Sequence, residues 1–98
     1  MTDTANKQRR RMTPAAALDH ARNAHIAGAH SEAVSVARQL RSVDERNIEA
    51  LAVLAAASAA LGDLDAAIEA NNAAVNLQPT NSMLHANLCE ILRRAGDL

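Results

Sequence analysis

The segment that decides the fold of this 98-residue chain is IEALAVLAAASAALGDLDAAIEANNAAVNLQPTN, residues 48–81. Good helix formers fill it on both sides of Gly62 and Asp63. Glycine accepts the left-handed backbone of a tight turn, and an aspartate side chain can cap the helix that follows. Pro79 ends the second half, because proline cannot continue a helix. The segment therefore predicts two helices, over 48–60 and 64–77.

The same pattern recurs at a spacing of 34 residues, without insertions or deletions. Its clearest markers are Gly28, Gly62 and Gly96. Further matches at this offset are Ala21 with Ala55 and Cys89, Leu54 with Leu88, Ala33 with Ala67, and Asn47 with Asn81. A fixed period of this length is typical of helical repeat arrays. We expect five helices, near 14–27, 31–43, 48–60, 64–77 and 82–95, with Thr13 capping the first and Ser31 starting the second.

The composition agrees with an all-α domain. The chain has 24 alanines and only 3 glycines and 2 prolines, and it lacks Phe, Trp and Tyr. Sheet folds need more turns and more bulky strand residues than this chain offers. The length allows one small domain. Its core must be built from small aliphatic side chains, which let helices approach closely.

The 34-residue units resemble the tetratricopeptide repeat family, whose pattern is Trp-x2-Leu-Gly-x2-Tyr, then Ala-x3-Phe, then Ala, then Pro. In the second unit the corresponding positions are Leu51, Leu54, Ala55, Ser58, Ala67, Asn71, Ala74 and Pro79. Every aromatic position holds a smaller residue, and Asn71 stands where the family has Phe. The resemblance implies a right-handed α-solenoid of antiparallel helix pairs over residues 14–98. Its units are repeats 14–47 and 48–81 and a partial repeat 82–98.

The residues before the repeats differ from them in charge. Residues 1–13 carry Lys7, Arg9, Arg10 and Arg11 against Asp3. We expect a disordered, basic, solubilising tail, since four charges without interleaved aromatics bind nucleic acid only weakly. The single cysteine and the absence of a long apolar run favour a cytoplasmic protein that contacts neither nucleic acid nor membrane.

No group of residues suggests an active site, a cofactor site or a metal site. His20, His25 and His30 are five apart, so on a helix they would not share a face. Cys89 occupies a position where a small residue is wanted, and we expect a buried, inert thiol. Asp63 and Asp65 are better explained as helix N-terminal carboxylates than as an acid–base pair. Asn71, Asn72 and Asn76 are either polar contacts on the second helix or, for Asn71, a residue tolerated at a loose contact.

The family resemblance places a partner in a concave groove lined by the first helix of each repeat. The predicted groove residues are Leu18, Arg22, His25, Ala52, Val53, Ala56, Met83, Asn87, Glu90, Arg93 and Arg94. Other residues projecting to this face are Glu49, Ala59 and Ala86. An apolar centre flanked by arginines would suit a ligand with a short apolar stretch and a carboxylate. The clamp that some family members use for chaperone carboxylates is not formed, because its positions hold residues such as Leu18, Val53 and Met83.

The last helix has two apolar stripes at helical spacing. We expect His85, Cys89 and Leu92 to pack on the second repeat, which leaves the other stripe uncovered. That second stripe is Leu84, Leu88, Ile91 and Ala95. Burying three large aliphatic side chains contributes on the order of 5–8 kcal/mol gross. Two explanations follow, and they are compatible. Either the sequence is an N-terminal fragment of a longer array, whose next helix covers the stripe, or a second copy of the chain covers this self-association edge, which predicts a homodimer.

The leading interpretation is a non-catalytic protein–protein interaction module that binds a partner peptide or helix in its groove. The alternative is the N-terminal repeat segment of a longer enzyme, of glycosyltransferase or sulfotransferase type, whose catalytic domain lies outside this sequence. That alternative rests on analogy between alanine-rich arrays.

Overall fold

The computed structural model describes residues 13–96, which form five α-helices and contain no strand. The helices are α1 Pro14–Ile26, α2 His30–Val43, α3 Ile48–Ala60, α4 Leu64–Leu77 and α5 Ser82–Gly96. The predicted all-α class and the five helices are confirmed, with shifts of one residue at three ends. The basic residues of the predicted tail, at positions 1–12, lie outside the described residues.

Side-chain caps begin most of the helices. The hydroxyl of Thr13 accepts a hydrogen bond from the backbone N–H of Ala16, so this residue belongs to the helical domain and not to the tail. Asn47 and Asp63 cap α3 and α4 in the same way, through the N–H groups of Ala50 and Ala66. Each cap satisfies a donor that the helix itself leaves unpaired and contributes about 1 kcal/mol.

The turns inside the first two repeats depend on glycine. Gly28 and Gly62 have φ angles of 91° and 85°, a backbone conformation that costs energy for any residue with a Cβ atom. The prediction that Ser31 starts α2 is wrong, because the helix begins at His30. Its N-cap residue, Ala29, has no side chain that could bond the free N–H groups.

Consecutive helices pack against each other along the chain, and α1 also contacts α3. This arrangement is consistent with a helical repeat. The centre is made of alanines without any solvent exposure, accompanied by the fully buried Leu51. These alanines are Ala21, Ala33, Ala37, Ala50, Ala57, Ala67, Ala70 and Ala74. Side chains of one carbon allow interhelix distances at the short end of the ~8–10 Å range.

The predicted assignment of the two stripes on α5 is wrong. Leu84 and Ile91 are 3% and 6% exposed and belong to the core, while Leu88 and Ala95 are half-buried. The exposed stripe is the other one, since Leu92 is 48% exposed and Cys89 is an exposed free thiol. The prediction of a buried Cys89 is therefore also wrong.

The 34-residue register explains why the buried and exposed stripes of α5 are exchanged relative to the prediction. The counterparts of Leu84 and Ile91 in the second repeat are Ala50 and Ala57, both fully buried. In the first repeat, where no described helix precedes α1, the same face carries the exposed residues Ala16, His20 and Asn23. This face of each first helix therefore packs on the preceding repeat. Leu84, Leu88 and Ile91 turn toward α4 and do not form a free edge.

The packing of α5 seen in the structure predicts that substitutions at two neighbouring residues change the stability by very different amounts. Ile91→Ala should lower the free energy of unfolding by about 2–5 kcal/mol, because it leaves a cavity against α4. Leu92→Ala should change it by about 0.5 kcal/mol or less, as at other exposed positions. The measurement is urea denaturation followed by circular dichroism, since the chain has no aromatic residue for fluorescence. Equal losses in the two variants would contradict the packing described above.

Candidate binding groove

A groove with a cavity volume of about 300 Å3 lies where α3 faces α5, with one contribution from α1 and one from α4. We call it the central groove. Its lining residues are His25, Ala52, Ala55, Ala56, Ala59, Ala60, Asn71, Asn87, Glu90, Ile91 and Arg94. Five of the eleven are alanines of α3, spaced so that they form one face of that helix. The groove therefore combines a flat apolar wall with a few polar groups.

Six of the predicted groove residues line this cavity. They are His25, Ala52, Ala56, Asn87, Glu90 and Arg94. Leu18 and Val53 do not, because both are buried in the core at 9% and 8% exposure. Met83 is 70% exposed and lies outside the cavity, as do Arg22 and Arg93.

Asn71 is the polar group that the groove prediction missed. It lies on α4, which is the second helix of the second repeat, and its side chain has no solvent exposure. Its Nδ2 donates a hydrogen bond to the backbone carbonyl of Leu84 at 2.8 Å, which ties α4 to α5. Its Oδ1 is buried without a hydrogen-bond partner. The sequence left open whether Asn71 makes a polar contact or is only tolerated at a loose one. The bond to Leu84 shows that it makes a specific polar contact.

The arginines expected to flank the groove are engaged with carboxylates of the chain itself. Arg22 on α1 hydrogen-bonds to Glu49 on α3. On α5, Arg93 donates to Glu90 at 2.8 Å, and Arg94 lies 3.4 Å from the same carboxylate. The hydrogen bonds from Arg93 hold the pKa of Glu90 below its usual value. A ligand carboxylate would therefore compete with a carboxylate of the chain at each of these arginines.

At the α1 end of the groove, His25 meets His30. The Gly28 turn reverses the chain, so the two Nδ1 atoms come within 2.9 Å. One imidazole must donate and the other must accept, which requires a neutral ring. Desolvation, followed by repulsion from the charge of His30, lowers the pKa of His25 from 6.5.

This lowered pKa predicts that stability declines on acidification. Well above pH 6.5 the ring is neutral in both states, whereas around and below pH 6.5 the unfolded chain binds a proton more readily than the folded chain, because the pKa of His25 is lower in the folded state. The free energy of unfolding should therefore fall between about pH 7.5 and about pH 5.5, and His25→Asn should flatten part of that decline. Urea titrations at the two pH values measure this, with His85→Asn as an exposed histidine control. A wild-type stability that does not change over this range would refute the prediction.

A second and more open depression, of about 530 Å3, lies between α2 and the α3–α4 turn. Ser58 lines it and also has a buried oxygen without a partner. A helical serine can rotate its hydroxyl toward the backbone carbonyl four residues earlier, so the Ser58 hydroxyl can find a hydrogen-bond partner within its own helix. The carboxamide oxygen of Asn71 accepts only, and no local donor reaches it. The central groove is therefore the stronger candidate site.

Among residues 13–96, no three His, Cys, Asp or Glu side chains converge in a way that could hold a metal ion. No helix in that range is long and apolar enough to cross a membrane.

Comparison of the sequence with protein-family models and with curated proteins finds no match.

Proposed function

We propose that this chain is a non-catalytic protein–protein interaction module of the tetratricopeptide repeat type. In this proposal the five helices form a right-handed α-solenoid, and a segment of a partner protein binds in the central groove. Support comes from the exact 34-residue period, the family-like positions in the second repeat and the packing of consecutive helices.

The single observation that carries the proposal is the composition of the groove. Apolar walls with a few polar groups are typical of sites that bind another molecule. The alanine face of α3 supplies apolar surface next to Asn87 and Glu90. The lining includes no nucleophile paired with a base, which favours binding over catalysis.

The internal pairing of the arginines changes the partner that we favour. A ligand carboxylate would have to compete with Glu49 for Arg22 and with Glu90 for Arg93 and Arg94. We therefore favour an uncharged partner segment over the carboxylate ligand expected from the sequence.

Self-association stays a prediction, but its energetic basis is smaller than the sequence indicated. Leu84 and Ile91 are already buried against the rest of the chain. Leu92, half exposed, is the main large aliphatic side chain left on the opposite stripe of α5. Its burial offsets little of the ~4–15 kcal/mol that association costs in lost freedom of motion. The alternative of a repeat segment from a longer enzyme also stays a prediction.

Filling the groove tests the proposal. Peptides are first selected by display on the wild-type protein, and their affinities are then measured by fluorescence anisotropy. Ala56→Trp places an indole in the groove and should weaken binding by about tenfold or more, because the ring occupies the space of the ligand.

The matched control is Asn72→Trp, which adds the same ring at an exposed position of α4 outside the groove. It should leave the affinities unchanged, and both variants should keep the wild-type helical signal. If Ala56→Trp binds the selected peptides as tightly as the wild type does, the binding site lies elsewhere.

A further inference from the structure

We infer that the central groove binds an extended, uncharged peptide segment with small side chains, and that Asn71 Oδ1 accepts a hydrogen bond from a backbone N–H of that segment. This inference rests on the proposed function and specifies the chemistry of the partner.

The first support is the unpaired acceptor itself. The Nδ2 of Asn71 is engaged with the carbonyl of Leu84, which fixes the orientation of the carboxamide and turns Oδ1 away from that bond. Oδ1 is buried without a partner, and a buried acceptor in that state costs free energy. Because a carboxamide oxygen can only accept, the group that relieves this cost must carry a donor.

The repeat register shows that packing alone does not demand an asparagine at this position. Residue 37 is the counterpart of Asn71 in the first repeat, and it is an alanine with no solvent exposure. An alanine at this position is therefore sufficient for the packing of α2, the second helix of the first repeat. A carboxamide in the same position adds a polar oxygen beside the groove, which indicates a role in binding.

The second support is the shape of the groove. Ala52, Ala55, Ala56, Ala59 and Ala60 project only a methyl group each, so a ligand backbone can approach the α3 wall closely. An extended segment has N–H groups free on either side, whereas a helix uses nearly all of its own N–H groups internally. Small ligand side chains follow from the limited volume of about 300 Å3.

The third support is the loose attachment of α5. This helix has two buried residues, Leu84 and Ile91, whereas α3 has seven. Elements with few buried apolar contacts open at low free-energy cost. Asn71 lines the groove but has no solvent exposure, so in this inference α5 moves outward by a small amount that keeps the bond from Nδ2 to Leu84 and admits the ligand N–H to Oδ1.

The test compares two probes that differ in their donors. One is capped tri-L-alanine, and the other is capped tri-L-lactate, in which an ester oxygen replaces every N–H. Each is titrated into the 15N-labelled protein, and the signals of Ala55, Ala59 and the Asn71 carboxamide are followed by NMR. We expect the peptide to bind about tenfold more tightly than the ester, which lacks the hydrogen bond to Oδ1.

Two variants assign that preference to Asn71. Asn71→Ala, which copies the residue of the first repeat, should bind both probes equally, whereas Asn72→Ala should keep the wild-type preference. If Asn71→Ala does not fold, the comparison of the peptide and the ester on the wild-type protein still shows whether a ligand N–H is required for binding.

The possible failures can be told apart. Equal binding of peptide and ester to the wild type would overturn this inference and leave the proposed function intact. Binding of neither probe at millimolar concentration would also overturn it. In that case the display-selected peptides and Ala56→Trp show independently whether the groove binds a partner of another kind, such as a helix.

Discussion

Close approach of helices at alanine is the constraint on which this structure depends. Eight alanines on four helices have no solvent exposure, and the core contains no aromatic side chain to fill wider gaps. A single methylene added at such a contact would push two helices apart, because protein interiors have little free volume. The same short side chains line the central groove, where they leave space in place of filling it. Core packing and groove shape therefore have a common origin in the alanine content.

The elements of the fold were predictable from the sequence because their signals are local. Gly28 and Gly62 mark the two turns with positive φ, and Asn47 and Asp63 cap the helices that follow. The start of α2 was misplaced because Ala29 gives no such signal. The stripe assignment on α5 failed for another reason: helical periodicity identifies an apolar face but not its neighbour. The exposed His20, in the register position of Leu88, carried that information, since it marks the face that turns toward a preceding repeat.

The candidate site was predictable only in part, because side-chain pairing and helix rotation depend on the assembled structure. Spacing placed Ala52 and Ala56 correctly on the groove face of α3. It also placed Val53 there, although a rotation of one residue turns that side chain into the core. Arg22 was expected to meet a ligand, but the pairing of helices brings Glu49 within its reach. Asn71 was missed as a groove residue because the family resemblance directs attention to first helices, and this residue comes from a second one.

The bond between Asn71 and Leu84 also bears on how helices that repeat at a fixed spacing pack in the correct order. The second helices α2 and α4 share small buried side chains at corresponding positions, such as Ala33 and Ala67, so apolar packing at these positions does not distinguish them. The corresponding position of α2 is Ala37, which has no group to bond a carbonyl. If α5 docked on α2 in place of α4, the carboxamide would lose its tie to Leu84. A hydrogen bond of this kind contributes about 0.5–1.5 kcal/mol net to stability. One asparagine thus stabilises the contact between α4 and α5 specifically, which alanine at the corresponding position of α2 could not do.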